Sequence, residues 1–140
     1  MAVPVHERGE AKLSFLDNAE LLENLTADII MNDKYVPKKY RYVWSQNVFQ
    51  LSMRIFENVR RANILYPSTV EIFKARMKYL QLAESDAEAL LTQIAFARKR
   101  FSIPSGLFEQ WEKVCVATKR AIRARAKSDY EIGKKKLKIK

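Results

Sequence analysis

"MNDKYVPKKYRYVWSQNVFQLSMRIFENVRRAN", Met31–Asn63, opens on lysines, tyrosines and a single proline and then settles into a helical rhythm. Trp44, Val48, Leu51, Ile55, Val59 and Ala62 recur at intervals of three and four, which places them along one face of an α-helix. Pro37 fixes its own φ and disfavours helix at Val36, so this helix is expected to start at or just after Pro37 and to close at Tyr66–Pro67. An apolar seam of that length needs other helices to cover it.

The flanking sequence supplies them. Upstream, Leu22, Leu25 and Ile29 form a second stripe, widened by Leu21 and Ile30; it predicts a first helix beginning near Ser14 or Asp17 and ending around Asn32–Asp33. Downstream, Ser68 or Thr69 is a candidate N-cap, with Glu71 placed to favour the positive end of the helix dipole. Phe73, Met77, Leu80, Ala83, Ala87, Leu90, Ile94, Ala97 and Phe101 then predict a long third helix, with Ser85–Asp86 as a point of irregularity. Pro104 interrupts, Ser105 is a candidate cap, and Leu107, Trp111, Val114, Thr118, Ile122 and Arg125 trace a fourth helix that Gly133 is expected to stop.

The expected organisation is a flexible leader over 1–13, a four-helix bundle over 14–132 and a disordered basic tail over 133–140. Short connections make chain neighbours run in opposite directions, so the fold class is all-α, an antiparallel up-down-up-down four-helix bundle. Composition agrees: 140 residues with 48 % apolar content suit one domain, and three glycines and four prolines leave little material for the turns of an all-β chain.

No stretch approaches the ~20 consecutive apolar residues of a membrane span, and Met1–Glu10 does not read as a signal peptide. Cys115 is the sole cysteine; it reads as a small buried hydrophobe, and a reducing cytoplasm is the expected setting. His6 is the sole histidine, and neither a glycine-rich phosphate loop nor a carboxylate cluster at metal-ligand spacing is present. The chain is therefore expected to be no enzyme and to use no cofactor or metal. Glu84, Asp86 and Glu88 read as a solvated acidic face.

Charge carries the functional reading. The net charge is +10, yet residues 1–33 hold two Lys/Arg against seven Asp/Glu, so the positive charge lies in the rest of the chain. A polyanionic partner, nucleic acid first, fits that layout, with a membrane surface weaker because Leu137 and Ile139 offer little to anchor it. In an antiparallel bundle, Lys34, Lys38, Lys39 and Arg41 share one end with Arg98, Lys99 and Arg100. The other end gathers Arg60 and Arg61, the fourth-helix run Lys119, Arg120, Arg123, Arg125 and Lys127, and Lys134, Lys135 and Lys136 of the tail.

No acid intervenes between Glu112 and Asp129, so the fourth-helix cations are expected to repel one another unless an anion lies across them. In "KYVPKKYRY", Tyr35, Tyr40 and Tyr42 can stack bases while the cations neutralise phosphates; equally, they can staple the connection to the core. Trp44, Trp111, Phe49, Phe56 and Phe73 are core residues or an inter-subunit surface.

"YVPKKYRYVWSQNVFQLSMRIFENVRRAN" is similar to the second-helix signature of one family of small four-helix bundles. That family holds the accessory variability proteins of diversity-generating retroelements and the proteins of bacterial 23S ribosomal RNA intervening sequences. The likeness lies in Pro37-Lys38, Arg41-Tyr42, Gln46, Glu57-Asn58 and Ala62-Asn63, within a resemblance over roughly 14–130; Ser45 stands where the family often has glycine. The resemblance implies a basic, barrel-like homopentamer. For the retroelement branch it implies binding of nucleic acid, RNA and also DNA, and of a reverse transcriptase during cDNA synthesis for mutagenic retrohoming. For the ribosomal branch the alternative is an oligomeric structural or protein-interaction scaffold.

Overall fold

Four α-helices and no strand make up the described residues: α1 Val5–Ile30, α2 Gln46–Ile64, α3 Val70–Arg100 and α4 Ser105–Lys136. The computed structural model describes residues 5–137, with side chains from residue 16 onward. Each helix packs on its chain neighbour, and α1 also packs on α4, so the apolar seams converge on one core. Leu22, Ile29, Val48, Ile55, Val59, Leu80, Leu90, Ile94, Trp111 and Ile122 are fully or almost fully buried in it. No described helix is long and apolar enough to cross a membrane.

Polar groups in this core satisfy one another. Trp111 donates its indole N–H to Thr26 Oγ1 at 2.9 Å, and the Thr26 hydroxyl in turn donates to the Leu22 carbonyl. Thr118 Oγ1 lies 3.1 Å from the Asn18 carbonyl and ties α4 to α1. Trp44, two residues before α2, donates to Gln93 of α3 at 2.9 Å.

The stretch after Pro37 begins helix differently from the expectation. A 3-10 turn, Lys38–Tyr40, leads into a π turn, Arg41–Ser45, and regular α-helix starts only at Gln46. Asn32 organises the connection before it: its carbonyl accepts from the N–H groups of Tyr35 and Val36, its side chain accepts from the Lys34 N–H, and Val36 plugs into the core.

Three boundaries and the middle of α3 differ from the sequence reading. α1 starts at Val5 rather than near Ser14, within the expected leader: Glu7, Arg8, Glu10, Ala11 and Lys12 favour helix around Gly9, though without apolar rhythm. α3 is continuous through Ser85–Asp86, a rod of about 46 Å at ~1.5 Å per residue. Pro104 rather than Ser105 occupies the N-cap of α4, and Ser105 is the first helical residue. Gly133 does not end α4, which runs on to Lys136; it is buried because the Phe73 ring lies against its Cα. Met1–Pro4 of the leader and Lys138–Lys140 of the tail lie outside the described residues.

Elsewhere the caps follow local chemistry. Thr69 Oγ1 accepts from the Ile72 N–H at 3.2 Å and opens α3, with Glu71 in its first turn. Leu65, in extended conformation before Tyr66-Pro67, closes α2.

Candidate nucleic-acid interface

The Lys34–Arg41 connection and the last turn of α3 meet. Arg100 donates from Nε to the Tyr40 hydroxyl at 3.0 Å, and the Tyr40 ring stands edge-on to Phe101 with centroids 4.8 Å apart. Lys39 Nζ lies 5.6 Å from the same Tyr40 ring. The Arg100 hydrogen bond, with the charge of Arg100 and Lys39, holds the Tyr40 phenol below the ordinary tyrosine range. Residues 31–45 and 96–106 together carry seven Lys or Arg, namely Lys34, Lys38, Lys39, Arg41, Arg98, Lys99 and Arg100, against Asp33 alone, and all seven are exposed.

Some of that charge is spoken for. Asp33 lies 3.3 Å from Arg41 and 3.7 Å from Lys38, and Arg98 sits 3.7 Å from Glu112 and over the Phe108 ring at 4.9 Å. Arg98, Lys99 and Arg100 also complement the negative end of the α3 dipole, which gives them a purpose in the helix itself. Lys34, Lys38 and Lys39 have no such purpose: they precede the positive end of α2.

The tyrosines divide between the two uses open to them. Tyr35 and Tyr40 are half-buried against the core and staple the connection down. Tyr42 is 81 % exposed, beside Val43 at 71 % and Met31 at 72 %, and staples nothing.

At the other end, Arg60 and Arg61 are exposed in the last turns of α2, with their guanidinium groups 5.8 Å from the Phe56 ring and 5.9 Å from the Tyr79 ring. Lys134, Lys135 and Lys136 form the exposed last turn of α4, and a cleft lined by Ile64, Tyr66, Ile132 and Lys136 joins the two helix ends.

The fourth-helix run corrects the expectation of unpaired like charges. Lys119 is ion-paired with Glu88, and Arg123 with Glu84 at 3.2 Å. Asp86 takes Arg54 at 3.5 Å. The missing acids come from α3, so the supposed solvated acidic face is a ladder of partners. Arg120 and Lys127 are exposed and Arg125 is half-buried, so the run is split between the α3 seam and open surface.

Arg76 stands apart from the cations that the charge pattern singles out. It is buried, donates to Asp129 and to the carbonyls of Ala62 and Leu65, and is the charged residue that ties the end of α2 to α4. Its signal was its phase: position 76 continues the inward face of Phe73 and Leu80.

Among the described residues, no group of three or more His, Cys, Asp or Glu side chains is placed to hold a metal ion. Comparison of the chain with protein-family models, curated proteins and solved structures returned no match.

Proposed function

We propose that this protein is a non-enzymatic RNA-binding accessory protein, an antiparallel up-down-up-down bundle whose basic end takes the phosphate backbone. The observation that carries the reading is the convergence of seven cations with a single aspartate at the Lys34–Arg41 and Arg98–Arg100 end. Phosphate contacts supply most of the affinity of such a surface and make it steeply salt-dependent. The inverse order of contacts supports the topology: Arg76 meets Asp129 while Arg98 meets Glu112, and Tyr40 meets Arg100 while Trp44 meets Gln93.

The resemblance in Tyr35–Asn63 supports the finer reading: a homopentameric cytoplasmic accessory of a diversity-generating retroelement, partnering its reverse transcriptase in template-primed cDNA synthesis. A second reading, an assembling scaffold of the ribosomal intervening-sequence type, draws on apolar surface at both ends, with Val43 at 71 % and Ile64 at 77 % exposure.

The experiment is binding of a labelled structured RNA across a salt series, alongside mass by light scattering. The RNA reading expects affinity to fall steeply with salt, and Lys34→Ala with Lys39→Ala and Lys99→Ala to reduce the log–log slope by up to about 0.9 for each phosphate no longer neutralised. An oligomer that binds no RNA at low salt leaves the scaffold reading.

A further inference from the structure

An open cleft of about 600 Å³ lies between the end of α1 and the first turns of α2. That volume falls within the ~300–1,000 Å³ typical of small-molecule sites. Ile30, Met31, Tyr42 and Phe49 give it apolar surface, Ser45 and Gln46 add a hydroxyl and an amide, and Arg41 adds a guanidinium.

Helical spacing builds this lining. Tyr42, Ser45, Gln46 and Phe49 stand at i, i+3, i+4 and i+7 and so share one face against the end of α1, and the first two belong to the π turn Arg41–Ser45. Such turns recur at functional sites. Tyr42 stays 81 % exposed while Tyr35 and Tyr40, in the same connection, are packed on the core. An exposed aromatic beside an apolar cleft, with Lys34, Lys38, Lys39 and Arg41 in the adjoining connection, has the composition of a base-stacking platform flanked by phosphate contacts.

Charge selects the occupant. A second copy of the chain docking the same end here would bring a matching set of cations against these, whereas a nucleotide brings an aromatic face together with negative charge. Resting on the RNA-binding reading, we propose that this cleft takes one unpaired nucleobase of single-stranded RNA, stacked on Tyr42 and hydrogen-bonded by the Gln46 amide. Arg41 and Lys34 hold the flanking phosphates. Arg41 keeps Asp33 on one nitrogen and retains further N–H donors for a phosphate.

The test compares a labelled 20-nucleotide single-stranded RNA with the duplex of the same sequence, measured by fluorescence anisotropy on the full chain. Tyr42→Ala is expected to weaken single-strand binding on the order of tenfold, to spare the duplex, and to leave the salt slope unchanged. Tyr42→Phe is expected to keep the single-strand affinity, and Gln46→Ala to reduce it. Circular dichroism confirms the fold of each variant, and light scattering follows its mass.

Equal loss on both RNAs, or no loss on either, overturns the base-cleft inference while the RNA reading stands. A change of mass with Tyr42→Ala overturns it in favour of an interface between copies. Failure of the unmutated protein to bind either RNA at low salt overturns both.

Discussion

Arg76 Nε lies 2.7 Å from Asp129 Oδ2, with the two side chains only 9 % and 10 % exposed, and the same guanidinium holds the carbonyls of Ala62 and Leu65. One cation thus finishes α2 and clamps α3 to α4. Arg76→Ala leaves a covered carboxylate and two carbonyls without their donor. The expected loss is about 3–5 kcal/mol in urea unfolding, because breaking one partner of a buried pair strands the other. Asp129→Asn keeps an oxygen acceptor and is expected to cost less; equal costs would show that charge, rather than the carbonyl bonds of Arg76, carries the clamp.

Gly133 is the second sensitive point on α4. A Cβ there falls inside the Phe73 ring, which is buried and has little room to withdraw. Gly133→Ala is expected to destabilise by about 1–3 kcal/mol despite the higher helix propensity of alanine. Gly106 faces open space in the first turn of the same helix, so Gly106→Ala is the control and is expected to be neutral or stabilising by up to ~1 kcal/mol. Thermal melts of the two variants moving in opposite directions check the claim.

Glu23 sets a pH dependence. Partial burial, together with the charges of Glu57 and Glu20, raises its carboxyl above the ordinary range. A carboxyl whose folded pKa exceeds its unfolded one favours folding in its protonated form. That contribution is present in full below the unfolded pKa and is lost as pH rises through the folded one. Glu23→Gln is therefore expected to raise stability at pH 7 by a few tenths of a kcal/mol. The gain should vanish when both proteins are melted below about pH 4, where glutamate is protonated.

Cys115 reports opening of the core. Burial, with Glu88 and Glu112 nearby, pushes its thiol up to about 12, and its Sγ lies 3.6 Å from the Ala87 carbonyl. Native protein at pH 8 is expected to react with a disulfide reagent only at the rate of unfolding, and at once in denaturant. Rapid labelling of folded protein would place the sulfur at the surface.

Periodicity disclosed the four helices because apolar residues at three-and-four spacing have one physical use, and Trp44, Leu80 and Trp111 are buried where it puts them. It missed what depends on neighbours distant in the chain. Gly133 reads as a stop in isolation, yet Phe73, sixty positions earlier, makes it a close contact. Lys119 and Arg123 read as unpaired because their acids belong to α3. The π turn leaves no local mark either: Arg41–Ser45 carries the same seam a regular helix would. The cations of Lys34–Arg41 and Arg98–Arg100 were legible as a set because each run flanks the end of a helix, and Tyr40 and Arg100 do meet, whereas the exposure of Tyr42 beside the covered Tyr40 was not legible.

The two tryptophans share one core but have different neighbours. Trp111 has no exposed surface and is hydrogen-bonded to Thr26, whereas Trp44 lies 4.9 Å from Phe101, which touches Tyr40 at the basic end. The chain thus contains two tryptophan reporters in one core. With Trp44 replaced by Phe, emission follows the melting of the core alone; with Trp111 replaced, it follows that melting and, through Phe101 and Tyr40, whatever arrives at the cations. A ligand at that end should shift the emission of the second protein and leave that of the first unmoved, so the unlabelled pair separates occupancy from folding.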